Sequence, residues 1–405
     1  MRRRAFLLGA ASSVAVSPPR AAASRVTTGL ERVEAEGGAP LLGRRVGLLG
    51  HAASVTAAGR HAIDVLRGAG VAVARLFGPE HGLRGGAAAG ESVAGGRDEV
   101  SGLPLVSLYG ERTRPSREDL RGLDALVVDL QDAGVRFYTY ASTMLLSLEA
   151  AADAGLEVFV LDRPNPLGGL RVEGPERDHA LPFALVSLAP GPLVHGLTLG
   201  EMALVANRRR EKPGRVSVVP MGGWARRMTW GDTGRPWVSP SPNLRSAEAA
   251  LAYPGTCLLE ATNATEGRGT EAPFLLIGAP WMKPEMVARE AATAGFAFET
   301  TTFTPEASPA APDPKYRGVV CRGLRVRVTD AAAVRPFALG LRLLAALRRH
   351  SDFAWVREGA WLDTLLGTKS VRTALERGDP VETMLAADEP AIERWRRDRR
   401  AALRY

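Results

Sequence analysis

Short apolar runs alternating with helical segments constrain the first half of this chain more than any other feature. Strands are expected at residues 46–49, 71–77, 105–108, 125–130 and 158–161. Between them, helices are expected at 62–68, at 116–121 with Ser116 as cap, and at 139–154, where Gly155 stops the run. Strands this apolar must be covered on both faces, and strands that alternate with helices pair in parallel. The expected class is therefore α/β with a mainly parallel sheet. Beyond Pro166 the rhythm becomes irregular. A helix at 198–208 opens with Thr198 and Glu201 in capping-box spacing, a strand follows at 216–220, and residues 224–243 are rich in Trp, Pro and Gly. The 405 residues leave room for a smaller α/β domain over 251–405 after a first domain over 24–250. Its expected parts are a loop at 304–316, a half-exposed strand at 319–328, an amphipathic helix at 336–348 and an arginine-rich helix at 392–404. Its only two cysteines, Cys257 and Cys321, are too few for a disulfide framework and are expected as free buried thiols.

Residues 1–23 have the form of an address. Arg2-Arg3-Arg4-Ala5-Phe6-Leu7-Leu8 shows a twin-arginine pattern, an apolar run continues to Val16, and Ala21-Ala22-Ala23 offers small residues for cleavage before Ser24. This predicts a protein exported to the periplasm or beyond. No stretch approaches the roughly 18 apolar residues of a membrane span, so membrane insertion is not expected. The net charge of +8 falls to +4 once the four signal arginines are removed. With only four lysines (Lys212, Lys283, Lys315, Lys369) among 52 basic residues, the charge reads as codon usage, and nucleic acid is not expected as a partner.

The chain has no G-x-G-x-x-G after its first strand, no G-x-x-x-x-G-K-[ST], no H-E-x-x-H and no G-x-S-x-G, so dinucleotide, nucleotide, zinc-protease and serine-hydrolase readings lose their usual support. Open parallel sheets bind ligands beyond the carboxyl ends of their strands. Here those ends carry Glu80 and His81, then Asp129, Gln131 and Asp132, then Asp162, Arg163 and Asn165. An acid after a strand commonly caps the next helix, but three strands delivering carboxylates to one edge favours a site. Glu80, between Pro79 and His81-Gly82, stands in a loop whose glycines permit close approach to a ligand. A partly desolvated carboxyl there, beside other acids, suits a proton donor. Arg136, Tyr138 and Tyr140 lie at the start of the next helix, where the tyrosines serve either as packing residues or as a platform for a sugar.

Six segments stand out together: Phe77-Gly78-Pro79-Glu80-His81-Gly82, the run from Asp129 to Tyr140, Leu161-Asp162-Arg163-Pro164-Asn165-Pro166, Val172-Glu173-Gly174-Pro175, the run from His195 to Glu201, and the run from Tyr253 to Glu260. They closely resemble the signatures of the NamZ (YbbC-like) family of exo-acting β-N-acetylmuramidases. The resemblance extends from about residue 40 to the C-terminus. It implies a Rossmann-like N-terminal domain, a smaller C-terminal α/β domain completing a cleft, and release of N-acetylmuramic acid from the non-reducing ends of peptidoglycan fragments. It implies muramyl glycans as partners, and neither metal nor organic cofactor. Glu80 matches the family's prime candidate acid, and His195 falls in a signature segment as a substrate-binding candidate. The stretch after Ala261, where a glycine is common in relatives, keeps Asn263, Glu266 and Arg268 as binding candidates.

Glycoside hydrolysis calls for a proton donor and for help at an oxocarbenium-like centre. Glu80 is assigned the first role, with His81 as its neighbour and tuner. The second carboxylate is Glu173, Asp129 or Asp132, unless the substrate's own N-acetyl group acts as nucleophile. Arg163, Arg136 and Arg268 are the candidates to pair with the lactyl carboxylate that sets muramic acid apart from glucosamine. The rival reading is a non-catalytic periplasmic carbohydrate-binding protein, for which Glu80 would be dispensable.

Overall fold

The computed structural model describes residues 25–92 and 94–405, so the signal expected at 1–23 lies outside the described residues. Strands β1 (Arg45–Gly50), β2 (Ala72–Gly78), β3 (Gly96–Arg97), β4 (Pro104–Ser107), β5 (Ala125–Asp129), β6 (Glu157–Leu161) and β7 (Arg215–Val219) form a seven-stranded sheet in the order β3-β4-β2-β1-β5-β6-β7. Every pairing is parallel except that of β3, a short antiparallel edge on β4. The chain lays strands outward from β1 to one side, then returns and lays β5, β6 and β7 on the other. This is the doubly wound order, with its switch point between β1 and β5.

Side chains alternate faces along each strand, and that period separates two cores. Leu48, Leu76, Val127 and Phe159 lie on one face, under α1 (Gly29–Ala35) and α2 (Ala62–Gly68). Leu49, Phe77, Val128 and Val160 lie on the other, under α3 (Arg117–Leu120), α4 (Thr139–Asp153) and α5 (Leu199–Arg208). The caps are those anticipated: Ser116 accepts from the Asp119 N–H and Thr198 from the Glu201 N–H, each in a capping box.

The second unit follows β7. Helices α6 (Ala247–Thr256), α7 (Pro284–Glu290) and α8 (Pro336–Leu347) pack around an antiparallel sheet of β8 (Leu276–Ala279), β9 (Phe296–Phe303) and β10 (Cys321–Val328), in the order β8-β10-β9. Helices α9 (Ala360–Leu366), α10 (Ser370–Arg377) and α11 (Val381–Asp398) complete it. The second core of the large sheet continues into this unit without a break, through Leu258, Phe274 and Phe337 to Trp395. Glycines permit the closest crossing: a Cβ on Gly340 of α8 would lie 2.8 Å from the Gly255 Cα of α6. Two expectations need correction. The strand expected from 319 starts at Cys321, leaving Val319 and Val320 exposed. The last helix starts at Val381, well before 392, and runs through Pro390. Cys257 and Cys321 are free and buried.

Candidate active site

A cavity of about 370 Å³ opens beyond the ends of β2 and β4 and the start of α4, and the second unit closes its far side. Glu80 enters it from the turn after β2, where the Gly82 N–H donates to the Pro79 carbonyl at 2.9 Å. His81 and Gly82 both take the left-handed backbone region, at φ 67° and 74°. For His81 that conformation costs on the order of 1 kcal/mol, a strain of the kind stored at functional turns. The Glu80 carboxylate is held at both oxygens: Oε1 accepts from the Gly90 N–H at 2.9 Å and Oε2 from the Thr139 hydroxyl at 2.7 Å. Thr139 opens α4, whose N-terminal end favours an anion. Burial, and then the charge of Glu80, push the Tyr109 hydroxyl above its usual pKa. Burial also keeps the His81 imidazole below its usual pKa, outweighing Glu80, while its Nδ1–H donates to the Ala87 carbonyl at 2.9 Å. His81 is thus a neutral neighbour of the acid.

The walls are aromatic. Tyr253 meets the edges of Phe137 at 5.3 Å and Phe274 at 4.6 Å, and the buried Tyr138 hydroxyl, with no hydrogen-bond partner among the described residues, lies against the same space. Glu260 and Asp313 add two further carboxylates to the lining, and Arg268 adds a guanidinium. Arg268 Nη2 donates to Glu260 Oε1 at 2.6 Å, its Nε lies 3.2 Å from Glu266 Oε1, and it stacks 5.1 Å over Phe274. Burial opposes its charge, but Glu260 and Glu266 outweigh burial and raise its pKa. Burial likewise works on Glu266, where Lys315 and Arg268 together win and hold the carboxyl below its usual range.

Of the residues singled out from sequence, Glu80, His81, Tyr138 and Arg268 line this cavity. The others lie outside its lining. Asp129 and Arg163, expected as catalytic and binding groups, form a buried bidentate ion pair at 2.5 and 2.8 Å, with Arg163 also donating to the Val55 carbonyl. Arg136 donates from Nη1 to the carbonyls of Pro175 and Gly191 and from Nη2 to that of Leu366, fastening the two units together, while its buried Nε has no partner among the described residues; burial lowers its pKa to about 10. Asp162 accepts from the Gly200 N–H at 2.9 Å and the Thr198 hydroxyl at 2.7 Å, so it seats the start of α5; burial raises its pKa to about 6. Glu173, a contender for second carboxylate, instead accepts from the Phe337 N–H at 3.1 Å at the start of α8. Burial raises its pKa to about 6 against the pull of Arg335 and Arg171. Asp132 accepts from the Gly134 N–H at 2.8 Å and faces His195 Nε2 at 3.4 Å, both buried outside the cavity lining. Gln131 and Asn165 spend their amides on backbone carbonyls of Pro164 and Leu197. Asn263 bridges to Asp352 and Ala354, and Glu266 stands behind Arg268. Tyr140 supports from below: its hydroxyl donates to the Pro240 carbonyl at 2.7 Å and lies 3.2 Å from that of Glu80.

The lining residues not singled out include Tyr109, Thr139, Tyr253, Glu260 and Asp313. Tyr109 follows β4 and was within reach of the strand-end rule. Thr139, Tyr253 and Glu260 lie inside the signature segments, but nothing local separates them from packing residues. Among the described residues, no three His, Cys, Asp or Glu side chains converge to hold a metal ion, and no helix is long and apolar enough to cross a membrane.

Two family descriptions match the chain, "Exo-beta-N-acetylmuramidase NamZ, N-terminal" over residues 46–248 and "Exo-beta-N-acetylmuramidase NamZ, C-terminal" over residues 251–405. A peptidoglycan beta-N-acetylmuramidase NamZ of Bacillus subtilis is 38% identical over 389 residues, which cover 94% of this chain and 92% of that protein. Two solved DUF1343 family proteins of Bacteroides fragilis are similar in structure, with TM-scores of 0.84 at 30% identity and 0.77 at 29%. Each similarity covers 94% of this chain and 99% of the other.

Proposed function

The chain belongs to the NamZ family of exo-β-N-acetylmuramidases, and we propose that the cavity around Glu80 is where it releases N-acetylmuramic acid from the non-reducing ends of peptidoglycan fragments. The enzyme is a glycosidase, so the site must protonate the departing glycosidic oxygen and stabilise positive charge at the anomeric carbon. The observation that carries the assignment is the fixed Glu80 carboxylate, held at both oxygens at the edge of an aromatic-walled cavity large enough for one amino sugar. Glu80 stands where a carboxylic acid would hand its proton to the leaving oxygen, and His81 flanks it. With Glu173, Asp129 and Asp132 committed to the fold, Glu260 takes the place of second carboxylate. It faces either the anomeric centre or the N-acetyl group that attacks it.

The test is incubation with 4-nitrophenyl β-N-acetylmuramide beside the matching glucosaminide, and with a muramyl-terminated peptidoglycan disaccharide. Release of the muramic sugar from both muramyl substrates is the expected result. No release from either overturns the assignment. We also propose, from the Arg2-Arg3-Arg4 pattern, that the protein acts outside the cytoplasm, where its substrate lies.

A further inference from the structure

N-acetylmuramic acid is N-acetylglucosamine carrying a lactyl ether, so the two sugars differ by one carboxylate. We propose that Arg268 selects the muramic sugar by binding this lactyl carboxylate through its free Nη1 edge, a proposal that rests on the reading of the cavity as the sugar site. The distribution of charge supplies the first reason. Among the described residues lining the cavity, Glu80, Glu260 and Asp313 are acids and Arg268 is the one permanent cation. An anionic ligand entering there is repelled on several sides and attracted on one.

Preorganisation supplies the second. Glu260 holds Nη2 at 2.6 Å, Glu266 stands 3.2 Å from Nε, and Phe274 lies beneath the guanidinium plane, so the group is fixed before any ligand arrives. Nη1 makes no hydrogen bond among the described residues, which leaves a donor edge without a partner. Lys315 ties down Glu266 at 3.2 Å from behind while its ammonium also donates to the carbonyls of Leu259 and Ala264. The two acids around Arg268 are therefore matched by two cations, and a third carboxylate adds to a balanced cluster. The loop itself is locked: Gly267 and Gly269 both sit at φ 82°, and a Cβ on Gly267 would meet the Leu276 carbonyl oxygen at 2.2 Å. The other candidates fall away, because neither Arg163, paired with Asp129, nor Arg136, which donates to three backbone carbonyls, lines the cavity.

The test compares N-acetylmuramic acid, its lactyl methyl ester and N-acetylglucosamine as calorimetric ligands, and the three matching aryl glycosides as substrates. The wild-type protein is expected to favour the free acid over the ester and the glucosamine sugar by about tenfold to a hundredfold, the range of a charge-assisted hydrogen bond. In Arg268→Met the preference should shrink to about threefold or less, in Kd and in KM alike. Arg268→Lys keeps a cation between Glu260 and Glu266 and so guards against misfolding; it should fold with an unchanged circular dichroism spectrum and lose most of the preference. Equal wild-type binding of acid and ester overturns the proposal without any variant. So does a preference that survives in the folded lysine variant. Binding is read apart from turnover: failure to cleave any glycoside, with the acid preference intact and dependent on Arg268, removes the hydrolase assignment and leaves the carboxylate site standing.

Discussion

Arg163 follows Asp162 in the chain, yet its partner is Asp129, 34 residues away. The reason is the alternation of side chains at a strand end. Asp162 turns to one side of the sheet and receives the start of α5, while Arg163 turns toward the end of the neighbouring β5, where Asp129 ends its strand. Such a pair is invisible in sequence because strand adjacency decides it. Breaking it leaves a buried carboxylate without compensation, so Arg163→Met should cost about 3–5 kcal/mol in a urea unfolding experiment. Because neither residue lines the cavity, the folded fraction should keep its kcat/KM within about threefold. Glu80 predicts the opposite pattern. Glu80→Gln preserves shape and should leave stability nearly unchanged while lowering kcat by about 10²–10⁴-fold, with product binding little affected. A variant keeping more than about a third of wild-type kcat would remove Glu80 from the mechanism.

At the scale of elements, the helices with clear caps and glycine stops were legible, and those without them were not. Thr198 and Glu201 mark the start of α5 in sequence as plainly as in the structure. Helix α11 has no such signal: Pro390 lies in its middle, and no side chain caps its start. Its stability comes from burial of Met384, Ile392 and Trp395 against the rest of the molecule. The same helix carries Asp388, whose Oδ2 is buried without a partner among the described residues. Burial raises its pKa to about 7, with Arg136 pulling down and Glu389 pushing up. A carboxyl whose folded pKa exceeds its unfolded value near 4 destabilises the folded state as pH rises between the two, and the full penalty is present above the folded pKa. Asp388→Asn should therefore raise stability at pH 8 by about 1–2 kcal/mol, with the gain fading to nothing below pH 4. Urea midpoints of both proteins at pH 4, 6 and 8 measure this; a gain that does not grow with pH would contradict it.

For the whole molecule, one side of the cavity comes from the edge of the parallel sheet, and the other from the 3₁₀ turn at Cys257–Ala261, the Arg268 loop and the segment 310–314. A further expectation concerns where this assembly works. Replacing Arg3 and Arg4 together by lysine should trap precursor inside the cell, as read by immunoblotting of cell fractions, because that export route reads the arginine pair; unchanged secretion would show the leader to be of another kind. What the sequence determined by itself was local or periodic: the apolar strands and hence the parallel sheet, the capped helices, and the Pro79-Glu80-His81-Gly82 turn that needs its glycine at φ 74°. It could not separate the polar groups of the strand ends into those that hold the fold and those that face the ligand. Asp129, Asp162 and Glu173 look in sequence much like Glu80, and only tertiary structure shows them engaged by partners 30 or more residues away. Glu260 and Arg268, eight residues apart, line one cavity with Glu80 only when the second unit folds against the sheet edge. The physical reason is that a buried charge is stable only beside its complement, and chain folding, not chain order, chooses that complement.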